Sequence, residues 1–275
     1  MTEIGNGASG FTVTDVGSAA SVTLSWAAAS DVGHHRQDNE DSFVVTPPVF
    51  AVADGMGGHS AGDVASDAVV TALATLGDAS FTTTTDINAA LVNGVEALEA
   101  ALSDEQRGAG TTVTGAALIL ERSQLNWAIF NIGDSRVYLV ENDELIQVTV
   151  DHSVVQQLVD AGQITREEAD YHPHSNVITR AVGLAEEPIP DYFFMDVRPG
   201  TRLLLCSDGL TKELTDQGIL HFLSQAGTAQ DAVDDLLKAA LGNSGRDNIT
   251  LVVIDVHGVT QPVLTTPLNV ELSTN

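Results

Sequence analysis

Five short segments of the chain place an aspartate where an apolar run gives way to glycine or polar residues. Asp41 follows Arg36 and Glu40; Asp54 opens Asp54-Gly55-Met56-Gly57-Gly58-His59; Asp134 stands between Gly133 and Ser135-Arg136; Asp208 lies between Ser207 and Gly209; Asp247 precedes Asn248. The ends of strands can converge in space, and carboxylates brought to one point repel unless cations neutralise them. With oxygen donors only, and no Cys or His at matching spacing, the chemistry favours Mg²⁺ or Mn²⁺ over Zn²⁺. Gly55, directly after Asp54, lets a backbone carbonyl approach a cation with no side chain in the way. A lone Asp-Gly carries little weight, because it is also the commonest turn dipeptide.

Elements with the right periodicity surround these turns. Strand patterns cover 22–29 and 49–53, the second ending at Asp54. Helical spacing follows over 60–76, through Val64, Ala68, Val69, Ala72, Leu73 and Leu76, and then through Ile87, Leu91, Val95, Leu98 and Leu102. Strand signals over 111–120, 125–132 and 136–140, with a turn at 141–143, read as an antiparallel meander. Short helices are predicted over 153–161 and 165–171, the second opened by a Thr165/Glu168 capping box. Strands over 192–196 and 201–206, helices near 215–223 and 228–241, and a β-branched strand over 248–256 complete the pattern. Residues 1–20 read as a flexible arm, 21–257 as one domain, and 258–275 as a polar tail. Periodicity by itself stops at an α/β layered domain with antiparallel sheets.

Composition narrows the class. At 275 residues with 43% hydrophobic content, the chain can bury the core of one large domain. Its 11 basic and 38 acidic residues give a formal charge of -27, which opposes binding to a phosphate backbone, so nucleic acid is not an expected partner. No apolar run is long enough to span a membrane, and the Met1 end lacks a secretory pattern. One cysteine excludes an internal disulfide and fits a reducing compartment. We therefore expect a soluble, cytoplasmic monomer.

The order of these segments resembles the metal-dependent protein serine/threonine phosphatases of the type 2C family, the bacterial members above all. The likeness runs from about Ser30 to Val256 and includes Arg36, Glu40-Asp41, Asp54 to His59, Gly110-Thr111-Thr112, Gly133 to Arg136, Ser207-Asp208-Gly209 and Asp247-Asn248. It implies an α+β fold: a four-layer α-β-β-α sandwich, two antiparallel sheets flanked by antiparallel helices, with the site in a cleft at one edge. It also implies hydrolysis of phosphoserine and phosphothreonine in proteins by water activated between two divalent cations, Mn²⁺ or Mg²⁺. In that pattern Asp54 bridges the two cations, the Gly55 carbonyl binds one, and Asp208 and Asp247 hold the other. Glu40, Asp41 and Asn248 would act behind them or through water, Arg36 would grip the substrate phosphate, and Asp134 would share a weaker third cation with Asp208. The segment 154–180 resembles the family's flap. Phosphorylated proteins, and a Ser/Thr kinase with its substrates, are the expected partners.

Two positions depart from the pattern. Met56 stands where eukaryotic members tend to carry a histidine, which leaves the proton donor unassigned, with His59 nearby. Lys212 stands four residues after Asp208, where an acidic residue often helps a third cation. Elsewhere the bland readings are preferred, an exposed loop for His172 and His174 and a buried structural thiol for Cys206; at Gly133-Asp134-Ser135 a hairpin turn competes on chemistry alone, and the resemblance tips the reading to the cation. Two rival classes are a catalytically inactive phosphatase-like domain that binds phosphoproteins, and an acidic calcium-binding module. Intact Arg36, Asp54, Asp208 and Asp247 weigh against the first, and the lack of a twelve-residue calcium loop against the second.

Overall fold

The structure is a computed structural model that describes residues 1–57, 61–103, 108–121, 124–169, 171–184 and 187–262. Its first sheet orders β1 (Glu3–Ile4), β4 (Asp41–Thr46), β5 (Val49–Met56), β7 (Val113–Glu121), β8 (Gln124–Ile132) and β11 (Asp191–Asp196), with β6 (Gly110–Thr111) on the end of β5. The second orders β10 (Glu144–Gln147), β9 (Arg136–Glu141), β12 (Arg202–Cys206), β13 (Ile249–Thr260), β3 (Ala20–Asp31) and β2 (Ala8–Asp15). All these pairings are antiparallel except β1 with β4.

Alternation along the strands builds the layers. Phe43, Val45, Phe50 and Val52 point between the sheets, where Trp26, Phe50 and Trp127 meet edge-on at 5.3 and 6.3 Å. Val44, Val49, Ala51 and Ala53 point the other way, against Val69, Leu73, Ile87 and Leu91 of α1 (Gly62–Ala74) and α2 (Thr84–Ala101). Both faces of β5 are thus covered, which is why its sequence is a continuous apolar run. The outer face of the second sheet is covered by Ile219, Leu223, Val233 and Leu236 of α6 (Asp216–Gln225) and α7 (Ala229–Asn243). The result is the expected α-β-β-α sandwich.

Between β10 and β11 lie α3 (Val154–Asp160) and α4 (Arg166–Ala169). The capping box at α4 is reciprocal: Thr165 N donates to Glu168 Oε2 at 2.8 Å and Glu168 N to Thr165 Oγ1 at 3.2 Å. A fifth helix, α5 (Asp208–Thr211), is one turn long and had no periodic signal.

Three expectations are corrected. The first twenty residues form no loose arm: β2 pairs with β3, Val13 is buried, Phe11 stands edge-on to Trp26 at 5.4 Å, and Trp26 Nε1 donates to Asn6 O at 2.9 Å. Small polar residues concealed the alternation, yet β3 offers an open edge whose backbone groups need partners. The meander also breaks. β7 and β8 pair in the first sheet, but β9 belongs to the second, so Gly133-Asp134-Ser135 is a crossing between sheets rather than a hairpin turn. The hairpin comes one strand later. Asn142 and Asp143, at φ 54° and 62°, join β9 to β10 with the two left-handed residues a tight turn requires. The expected tail begins inside β13, which runs to Thr260; 263–275 lie outside the described residues.

Candidate metal centre

The five aspartates meet at one edge of the sandwich because each stands where a strand begins or ends. Asp41 starts β4 opposite Asp54 near the end of β5. Asp208 follows β12, Asp247 precedes β13, and Asp134 lies in the crossing after β8. Ser207 Oγ ties the sheets together by donating to Asp41 Oδ2 at 2.9 Å. Two glycines permit the close packing. A Cβ on Gly55 would come within 2.1 Å of Gly62 O, and one on Gly209 within 1.9 Å of Asn248 O.

The electrostatics are those of a crowded carboxylate site. Burial, followed by the charges of Asp41, Asp208 and Asp134, raises Asp54 well above the usual carboxylate range. Burial, opposed by hydrogen bonds from Thr250 and Ser207 and reinforced by Asp208 and Asp247, pushes Asp41 up to about 7. Burial and then Asp208 and Asp151 push Asp134 up to about 7. Asp208 is raised by burial against the pull of Lys212. Oδ1 of Asp208 is buried with no hydrogen-bond partner. An all-oxygen donor set, carboxyl pKa values raised by burial and mutual repulsion, and an orphaned carboxylate oxygen fit a hard divalent cation.

These shifts give a pH prediction. A carboxyl whose folded pKa is raised adds stability below its unfolded value of about 4 and loses it as pH rises through the folded value. In chelator, the melting temperature should therefore fall between pH 5 and pH 8, and Mn²⁺ should remove most of that fall. A melting temperature in chelator that stays level or rises over this interval would contradict the cluster.

Two cationic side chains stand at the rim. Arg36 Nη2 is 2.8 Å from Asp247 Oδ1, with the arginine side chain 49% exposed. Lys212 Nζ is 2.5 Å from Asp208 Oδ2 and 3.0 Å from Asp247 Oδ2. Among the described residues no three acidic, His or Cys side chains group closely enough to grip an ion as they stand. Glu40 is half-buried and raised, by burial first and against the opposing charge of Arg36. Asn248 uses its amide on the loop that carries these groups: Oδ1 accepts from Glu40 N at 2.9 Å, and Nδ2 donates to Val32 O and Asp38 O at 3.0 and 3.1 Å.

Thr112, Ser135 and Arg136 lie in segments that carry the resemblance but had no role assigned to them, and Asp151 and His152 escaped the sequence reading. Thr112 Oγ1 accepts from Asp54 N at 3.1 Å and meets Ser135 Oγ at 2.8 Å, joining β5 to the crossing that holds Asp134. His152 braces the same crossing, its Nδ1 accepting from Gly133 N at 3.0 Å and its backbone N donating to Gly133 O at 2.9 Å. Arg136 is clamped by Asp151, with Nη2 2.7 Å from Oδ2. The Asp151-His152-Ser153 run before α3 was the available signal, but its partners are distant in sequence.

The bland readings of the remaining groups hold. Cys206 is buried, and burial pushes its thiol up to about 12, far from a nucleophile's range. His172 and His174 lie in a surface turn where His174 N donates to His172 Nδ1 at 3.2 Å. His59 lies outside the described residues. A cavity of about 570 Å³ lined by Gly7, Trp26, Ala229 and His257 shares no residue with the carboxylate cluster.

The family model described as Protein phosphatase 2C matches residues 27–242. The chain is 41% identical over 251 residues to the serine/threonine protein phosphatase PstP of Mycobacterium tuberculosis, an alignment covering 88% of this chain and 48% of PstP. It is 36% identical over 234 residues to the serine/threonine phosphatase stp of Listeria monocytogenes, covering 82% of this chain and 91% of stp. It thus spans about half the length of the mycobacterial relative and nine-tenths of the listerial one. The crystal structure of M. tuberculosis PstP superposes with a TM-score of 0.79 at 39% identity, covering 86% of this chain and 99% of that one. The PstP catalytic domain in complex with 2 manganese ions gives 0.76 at 39% identity, with the same shares covered. Sequence, fold and the placement of the acidic turns agree: the chain belongs to the protein phosphatase 2C family.

Proposed function

We propose that this chain is a metal-dependent phosphatase that releases phosphate from phosphoserine and phosphothreonine in proteins. The observation that carries the proposal is the convergence of Asp41, Asp54, Asp134, Asp208 and Asp247 from five separate turns, with Arg36 exposed at the rim. Relatives bearing the name serine/threonine phosphatase, and a neighbour holding two manganese ions, support it.

Asp54, the Gly55 carbonyl, Asp208 and Asp247 would hold two divalent cations, Mn²⁺ or Mg²⁺, with Asp41 and Glu40 behind them. Bound there, the cations would supply an activated water and positive charge facing the phosphoryl oxygens. The chain's own contribution is positioning. Thr112 fixes Asp54 from behind, Ser207 orients Asp41, and Asn248 holds the Glu40 backbone, so no carboxylate needs to be ordered at the moment of reaction. Arg36 presents a planar fork of donors at the mouth of the cleft, suited to two oxygens of a phosphate monoester. An inert phosphoprotein-binding domain would have no use for this many buried carboxylates behind the arginine.

The substrate class is tested by phosphate release from phosphoserine, phosphothreonine and phosphotyrosine peptides of one sequence. The first two should be turned over and the third much more slowly; a preference for phosphotyrosine would overturn the assignment. We further propose phosphorylated proteins and a Ser/Thr kinase as partners, and a cytoplasmic location. Among the described residues no helix is long and apolar enough to cross a membrane, and the one cysteine is unpaired.

Asp134 would share a weaker third cation with Asp208. The sheet crossing favours this role, because the hairpin that would have explained Gly133-Asp134-Ser135 is absent there. Asp134→Ala should leave two tight Mn²⁺ ions bound, remove a weak one, and lower turnover of phosphopeptides. Unchanged metal content and unchanged turnover would make Asp134 a structural residue only.

A further inference from the structure

Lys212 is seated among the carboxylates by the local geometry of the chain. Asp208 opens α5 and Lys212 follows one helical turn later, so the two side chains share a face. The backbone of Lys212 is fixed as well: its N donates to Asp208 O at 2.8 Å, and its O accepts from Arg246 Nη2 at 2.7 Å. Arg246 is in turn held by Glu213, with Nε 2.9 Å from Oε1. The ammonium is therefore delivered to Asp208 Oδ2 and Asp247 Oδ2 by a braced segment rather than by a loose surface arm.

A divalent cation takes carboxylate oxygens at roughly 2.0–2.6 Å. It would need the oxygens that Lys212 now contacts, and two positive centres that close repel strongly. We propose that Lys212 is a tethered competitor for the cation site: it holds Asp208 and Asp247 in place and must be displaced before a divalent ion can bind that pair. Loading at Asp208 and Asp247 is then weaker and more exchangeable than the carboxylates alone would make it. Lys212 also keeps the two carboxylates from repelling each other when no divalent ion is bound. This rests on the carboxylates being the cation site, but its test needs no turnover.

The experiment is calorimetric titration of the full chain with Mn²⁺, alongside thermal melts in chelator and in Mn²⁺, for the parent, Lys212→Met and Lys212→Arg. Methionine keeps an unbranched apolar stem and removes the charge. It should tighten Mn²⁺ binding by roughly tenfold, the scale of removing one like charge a few ångströms away. It should also lower the melting temperature in chelator and enlarge the rise that Mn²⁺ produces. Arginine keeps the charge and should bind Mn²⁺ about as weakly as the parent. Equal or weaker Mn²⁺ affinity in Lys212→Met would overturn the proposal, as would tightening by Lys212→Arg to the same extent. If methionine prevents folding, the arginine variant decides alone: Mn²⁺ affinity near the parent's supports the competitor, and a clear gain overturns it. Absence of Mn²⁺ binding in every variant would instead remove the carboxylate site itself.

Discussion

Asp54→Asn should abolish phosphopeptide hydrolysis while leaving the domain folded. Asp54 lies at the centre of the cluster, where burial and the charges of Asp41, Asp208 and Asp134 all act on it. Asparagine retains the shape and leaves the backbone bonds of this position to Thr111 and Thr112 untouched, but it brings no charge to a bridging position. The loss should be at least roughly a thousandfold, since a bound ion supplies several kcal/mol of transition-state stabilisation. In chelator the variant should melt at a higher temperature than the parent at pH 8, because one raised, buried carboxylate has been neutralised. Activity and stability thus move in opposite directions, an outcome that simple misfolding cannot produce. Near-normal turnover at saturating Mn²⁺ would remove Asp54 from the site.

Arg36→Ala should raise KM for phosphopeptides and lower kcat/KM by roughly tenfold to a thousandfold, the range of losing a charge-assisted, bidentate partner. The competing explanation is its ion pair with Asp247 at 2.8 Å. The arginine side chain is 49% exposed, so that pair contributes little to stability. The melting temperature should therefore stay close to the parent's. If the arginine served only to orient Asp247, the variant would lose Mn²⁺ affinity and keep its KM. Lysine should restore part of the activity, since it supplies charge without the planar fork. Parent-like kinetics for the alanine variant would leave Arg36 as a surface ion pair.

Much of this architecture was legible because it is written in local patterns. The apolar runs of β5 and β13, the stripe from Ile87 through Leu98, and the reciprocal Thr165/Glu168 cap each follow from short-range rules. The five acidic turns could also be identified, since glycine and polar residues punctuate the ends of apolar strands. That they meet at one edge was an expectation carried by resemblance, because convergence depends on strand order. β12 lies beside β13, and β13 beside β3, across long stretches of chain.

What was missed is non-local or weakly patterned. β2 is small and polar, and its reason to exist is the edge of β3. The break after β8 could not be read from alternation, which is the same whether the next strand pairs in one sheet or crosses to the other. Lys212 was visible as a departure, but its direction was not. Only the turn of α5 shows that it points back onto Asp208 and across to Asp247. Thr112, Ser135 and His152 are common residue types that acquire meaning from partners 19 or more positions away.

The most direct measurement is phosphate release from a phosphothreonine peptide by protein first stripped with chelator and then given increasing Mn²⁺. The account predicts no release in chelator, restoration by Mn²⁺ in the parent, and no restoration in Asp54→Asn at any concentration. Full turnover in the presence of excess chelator would contradict it.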